Sequence, residues 1–139
     1  METKIMDHTV IHFEIPASDL QELKKFYSKL FKWKFIQMPT EGMDYWVIQT
    51  VPTDKEGMLK RPGVNGGMFS KDPEEKNVNP VNYVTVENID KYLIKATELG
   101  GKILMPVQTV PNVGQIARIA DPEGNQFGLL QPERKDPKK

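Results

Sequence analysis

An α+β chain of two βαβββ modules, joined in one cup-shaped mixed sheet, is the fold class the sequence predicts, and three observations predict it. Val10-Ile11-His12-Phe13-Glu14-Ile15 alternates with a period of two and runs straight into an amphipathic helical pattern. A weaker copy, Tyr83-Val84-Thr85-Val86 and then Glu87-Asn88-Ile89-Asp90, puts Tyr83 71 residues after His12, with Val84 under Phe13, Val86 under Ile15 and Asp90 under Asp19. Three more strand-like runs follow each copy, and a repeated order of elements weighs more than any single one.

Each element has its own justification. Ile11, Phe13 and Ile15 share one face of the first strand, which leaves His12 and Glu14 on the other. Pro16 is expected to stop that ladder, and Ser18 with Gln21 has the form of a capping box for a helix beginning at Asp19. Leu20, Leu23, Phe26, Tyr27, Leu30 and Phe31 recur at helical steps between charged residues, so this helix lies on a sheet. Trp33 to Met38 reads as the second strand, stopped by Pro39 and a turn through Gly42, and Tyr45 to Thr50 as the third. Val51 to Pro62 reads as a loop and Gly63 to Phe69 as a glycine-rich fourth strand.

Ser70 to Pro80 is the expected connection between a first module over residues 8–70 and a second over 81–132. There a strand through Tyr83 to Val86 leads to a helix over Ile89 to Leu99, stopped by Gly100-Gly101. Lys102 to Val107, Gln115 to Ala120 and Gln126 to Gln131 complete the strands, with turns at Thr109 to Gly114 and Asp121 to Asn125. Residues 133–139 read as a disordered polar tail.

Composition removes several function classes. The 139 residues carry 19 basic and 19 acidic side chains, so no global field attracts nucleic acid or an anionic membrane. There is no cysteine, which excludes disulfides, thiolate metal sites and a cysteine nucleophile. No apolar run approaches the roughly 18 residues of a spanning helix, and Met1 to Thr9 has no leader-like core. A cytoplasmic protein with neither nucleic-acid nor membrane partners is the expectation.

With both helices on one side, the opposite faces form the wall of the cup, carrying His12, Glu14, Tyr83 and Thr85. Arg118, between Ala117 and Ile119, points into the cup by parity, where a guanidinium can clamp a carboxylate or phosphate; the alternative is an ion pair with Glu14 or with a dimer partner. Tyr45 and Trp46 must face opposite sides of their strand, and the repeat offset favours Tyr45 on the cup side. Tyr83 and Thr85 can hydrogen-bond a ligand, or Tyr83 simply fills space. Gly66-Gly67 and the Asp121 to Asn125 turn are backbone devices, because neither opens a helix. His8 is read as structural.

Val10 to Ile15 before Asp19, Phe26-Tyr27 with Leu30-Phe31-Lys32-Trp33, Tyr45-Trp46, Gly66-Gly67, Leu99-Gly100-Gly101-Lys102 and Asp121-Pro122-Glu123-Gly124-Asn125 together resemble the vicinal oxygen chelate superfamily over about residues 8 to 132. That superfamily groups glyoxalase I, bleomycin-resistance and fosfomycin-resistance proteins and extradiol dioxygenases. The resemblance implies paired βαβββ modules, a homodimer, and a small-molecule site where His, Glu or Gln side chains hold a divalent metal acting as a Lewis acid. By the same resemblance His12 falls on the first-strand ligand position, whereas Tyr83 and Gly128 stand at two others and Gly63 to Phe69 offers no carboxylate or histidine.

One ligand position in the usual set survives, so no metal is expected; the alternative is a divalent Ni, Zn, Mn or Fe at His12 with Glu14 as a second ligand. The expected function is metal-independent binding or conversion of a small organic molecule, an acidic one where Arg118 lines the cup. His12 is the candidate catalytic group, and Glu14, Tyr45, Tyr83, Thr85 and Arg118 are the candidate ligand contacts. Glu14 either orients the His12 ring, binds a cationic ligand, or is a solvated rim carboxylate. Two other readings are kept: a metal-dependent lyase or isomerase resembling glyoxalase I, and drug sequestration without turnover as in bleomycin-resistance proteins.

Overall fold

A computed structural model describes residues 7–38, 44–74, 79–111 and 113–133. The elements run β1 (Val10–Ala17), α1 (Leu20–Leu30), β2 (Lys34–Gln37), β3 (Tyr45–Gln49), β4 (Gly66–Ser70), β5 (Val81–Thr85), α2 (Ile89–Glu98), β6 (Lys102–Val110), β7 (Gly114–Ala120) and β8 (Gln126–Pro132). The fold class is α+β and the order is βαβββ twice over. Most of the expected N-terminal arm, the turn from Pro39 through Gly42, part of the connection before Pro80, and the tail beyond Glu133 lie outside the described residues. Among the described residues no helix is long and apolar enough to cross a membrane.

The chain divides into two compact units, His12–Val81 and residues 82–133 with 7–11. In the first, the strands lie in the order β2-β3-β4-β1. β2, β3 and β4 pair antiparallel, and β1 adds to β4 in parallel with Phe13 opposite Gly66 and Glu14 opposite Gly67. Ala17, Ile48 and Met68 are the buried centre, with Phe13, Ile15, Leu20, Leu23, Trp33, Phe35 and Trp46 packed round it from strands, helix and connection. That apolar set defines the helix side of the sheet and places Tyr45, His12 and Glu14 on the other.

In the second unit the order is β5-β8-β7-β6. β5 pairs with β8 in parallel, Tyr83 opposite Gly128, and β8 with β7 antiparallel, Gly128 opposite Arg118. Val86, Ile89, Leu93, Ala117, Ile119 and Leu129 form the core beneath α2. Asn88 caps α2 by accepting from the Lys91 amide, and Gly100 ends it at φ 100°, a conformation that costs glycine nothing. His8 Nδ1 donates to the Thr85 carbonyl at 2.9 Å, and the Thr85 amide donates to Thr9 O at 3.1 Å.

Three local expectations are corrected. Asp19, not Ser18, is the N-cap of α1: its backbone is extended and its carboxylate accepts from the Glu22 amide at 3.1 Å, leaving Ser18 one residue outside. Pro16 does not stop β1, because the parallel register continues through Pro16 opposite Phe69 and the Ala17 carbonyl accepts from Lys71 N; a proline loses a donor but keeps its acceptor. β6 runs to Val110 and not Val107, with register shifts between Ile103 and Gln108 that accommodate Pro106 on an edge strand.

Thr85 is 7% exposed and its hydroxyl has no hydrogen-bond partner. An orphan buried hydroxyl costs about 1–3 kcal/mol, whereas an apolar group of the same shape does not carry that penalty. Thr85→Val is therefore expected to stabilise the fold by about 1 kcal/mol, read as a higher urea midpoint at unchanged m-value.

Candidate functional site

On the helix-distal face of the first sheet, β1 presents His12 and Glu14 two residues apart and β3 presents Tyr45. The Tyr45 hydroxyl donates to Glu14 Oε2 at 2.9 Å and lies 3.2 Å from His12 Nε2, while Nε2 and Oε2 are 3.9 Å apart. Glu14 is buried at 7% exposure, so the rim-carboxylate reading fails: a desolvated carboxylate needs donors, and the phenol is one. Burial pushes the His12 pKa below its ordinary 6.5, and the nearby Glu14 charge only partly opposes the shift. At neutral pH this imidazole is uncharged and able to accept a proton. Trp46, on the opposite face, packs in the core with the Lys24 ammonium 4.4 Å above its ring.

The helix-distal face of the second sheet carries Tyr83, Thr85, Gly128 and Arg118. Arg118 Nε donates to the Tyr83 hydroxyl at 3.0 Å, and Ala117 and Ile119 on either side of it are buried beneath α2. Tyr83 is 1% exposed. Thr85 lies one alternation further along β5, in the row of Leu130 and Ile116.

Each unit therefore brings its candidates together: His12, Glu14 and Tyr45 in one hydrogen-bonded group, Tyr83 and Arg118 in another. What the residues alone did not reveal is the seat under each tyrosine. A Cβ at Gly67 would fall on the Tyr45 hydroxyl and its ring carbon, and a Cβ at Gly128 would fall on Cδ2 and Cε2 of Tyr83. Both glycines give a tyrosine room to lie against the sheet. The signal available in the sequence was a strand glycine on the face of a neighbouring tyrosine.

The family profile described as the Glyoxalase/Bleomycin resistance protein/Dioxygenase superfamily matches residues 7–129. The chain belongs to this superfamily. A glyoxylase-like domain-containing protein of Didymella fabae is 34% identical over 120 residues, 84% of this chain and 88% of that protein. CFP32 of Mycobacterium bovis, a candidate glyoxylase by its name, is 27% identical over 124 residues, 87% of this chain but 44% of its own length. This chain thus spans under half of that relative. Among solved structures, methylmalonyl-CoA epimerase of Mycobacterium tuberculosis superposes with a TM-score of 0.63 at 12% identity, covering 90% of this chain and 88% of that one. The Streptomyces coelicolor epimerase in complex with 2-nitronate-propionyl-CoA gives 0.66 at 14%, covering 92% and 100%. At such identities the likeness is one of fold.

The superfamily resemblance implies a divalent metal, which the donor chemistry of the described residues at the corresponding positions does not fit. His12 and Glu14 are two ligand-type side chains, and the phenol between them spends its proton on the carboxylate. Of the corresponding positions in the second module, Tyr83 accepts from a guanidinium and Gly128 has no side chain to offer. No group of three or more His, Cys, Asp or Glu side chains able to hold a metal occurs among the described residues, and a catalytic divalent site normally uses about three protein ligands.

Because the folded-state pKa of His12 is depressed, the unfolded chain binds its proton first as pH falls. The stability this residue contributes is present above about 6.5 and is lost as pH falls from there through the folded-state value, with a slope of at most about 1.4 kcal/mol per pH unit. His12→Gln is expected to flatten the stability profile over that window relative to the parent, read by urea unfolding at a series of pH values. Gly128→Ala is expected to destabilise by about 1–3 kcal/mol through overpacking against Tyr83, read as a lower unfolding midpoint.

Proposed function

We propose that the protein binds a small, acidic organic molecule and converts it by proton transfer at His12, without a metal. The observation that carries this reading is the setting of His12: its ring lies 3.2 Å from the Tyr45 hydroxyl, which in turn donates to buried Glu14, and burial lowers the His12 pKa, which favours the uncharged form a general base needs. Glu14 and Tyr45 orient that ring. Arg118, steadied through Nε by Tyr83, supplies the positive charge that selects an anionic group, and Thr85 lines the same face as Tyr83.

The neighbours support the substrate class without fixing it. Two are epimerases of methylmalonyl-CoA, an acid whose epimerised carbon lies next to carbonyl groups, and the relatives in sequence carry glyoxylase names. The step proposed here moves one proton from such a carbon to His12, leaving the electron pair on the substrate as an enolate, and returns a proton afterwards. We further propose a homodimer, since CFP32, of which this chain spans 44%, is long enough for two such domains, and a cytoplasmic location, with which a sequence without cysteine agrees.

Thermal unfolding with a panel of small mono- and dicarboxylates, and separately with nickel, zinc, manganese and iron(II), tests the reading. A ligand at a hundredfold excess over its Kd adds about 2.7 kcal/mol, so a bound acid is visible. The expected result is an acid-dependent shift lost in Arg118→Ala, with solvent deuterium entering that acid in the parent and falling about 100-fold or more in His12→Ala. Stoichiometric metal that disappears in His12→Ala, or undiminished exchange in that variant, overturns it.

A further inference from the structure

A phenol carries a single hydrogen, and in this protein its destination is fixed. The Tyr45 hydroxyl donates to Glu14 Oε2 at 2.9 Å, and an ionised carboxylate can only accept. Towards His12 Nε2, 3.2 Å away, the same hydroxyl is left with a lone pair, so Nε2 must bring the hydrogen to that contact. Glu14 Oε2 stands 3.9 Å from Nε2, beyond hydrogen-bonding range, and does not take that hydrogen itself. A neutral imidazole holds one N–H, which leaves Nδ1 without a proton.

We propose that Tyr45 is a positioning residue that locks neutral His12 as the Nε2–H tautomer and so makes Nδ1 the proton-accepting atom. The lock is built from the sheet upward. Gly67 provides the room for the tyrosine hydroxyl, buried Glu14 takes its hydrogen, and the remaining lone pair selects the tautomer. Nε2 already carries a hydrogen, so a proton taken up by the neutral ring goes to Nδ1. The use made of Nδ1 rests on the function proposed above; the tautomer itself does not.

The chain has two histidines, His8 and His12, so ring ¹⁵N spectra of histidine-labelled protein, assigned with His8→Gln, report His12 directly. At a pH well above the imidazole range, His12 is expected as one tautomer, with a protonated Nε2 whose hydrogen exchanges slowly and an unprotonated Nδ1. Tyr45→Phe keeps the ring over Gly67 and removes the hydroxyl; its Nε2–H should exchange faster and its nitrogen shifts should move towards a tautomer mixture. An Nδ1–H tautomer or a mixture in the parent, or an unchanged spectrum in Tyr45→Phe, overturns the proposal. If Tyr45→Phe fails to give a cooperative melt, Glu14→Leu, which removes the acceptor of the hydroxyl hydrogen, decides: an unaltered tautomer and exchange rate there overturn it, and a shift towards the mixture sustains it. These spectra need no substrate. A locked Nε2–H in a protein that exchanges no acid sinks the proposed function alone, and a tautomer mixture in a protein that does exchange one sinks this inference alone.

Discussion

A buried carboxylate dictates the arrangement of the first module. Removing an ionised group from water costs several kcal/mol unless hydrogen bonds replace the lost solvent, and Glu14 is 7% exposed in a strand whose other face is given over to core. Backbone amides in a ladder are committed to their neighbours, so a side chain must come from elsewhere in the sheet. Tyr45 reaches it because β3 lies beyond β4, and β4 carries a glycine where a side chain would block the way. The position of His12 follows, since the oxygen that satisfies Glu14 is the one the imidazole meets. Remove Gly67, and Tyr45, Glu14 and His12 lose their arrangement together.

The second module uses the same device with the opposite charge. Tyr83 leans over Gly128 as Tyr45 leans over Gly67, but its hydroxyl accepts from a guanidinium instead of donating to a carboxylate. A phenol suits both tasks because it is at once donor and acceptor, and its ring fills apolar space while the oxygen serves a charge. One module thus steadies an imidazole and the other a guanidinium, from a shared plan of strand, glycine and tyrosine.

Much of this was legible because side-chain alternation is a property of the strand itself. The period of two placed Phe13 and Ile15 on the helix side and His12 and Glu14 on the other, and the parity of Ala117 and Ile119 did the same for Arg118. The cap of α1 was missed because Ser18 and Asp19 are comparable caps, and the choice depends on where the strand before them ends. The burial of Glu14 was invisible because it depends on a partner 31 residues away, on a strand not adjacent to its own. Gly67 was read as a backbone device and Gly128 as a lost ligand position, and not as seats for tyrosines, because a strand glycine announces only that something comes close, not what.

The same two glycines bear on the chemistry. A metal-binding wall needs side chains that end in lone pairs and converge on a point. Here the wall is built to lay tyrosine rings against the sheet, which requires the absence of side chains at Gly67 and Gly128. Placing a carboxylate at Gly128 would therefore displace Tyr83 and, with it, the oxygen that accepts from Arg118. The two designs compete for one space on the strand. A chain that keeps the tyrosine keeps an aromatic ring against the strand and the oxygen that steadies Arg118.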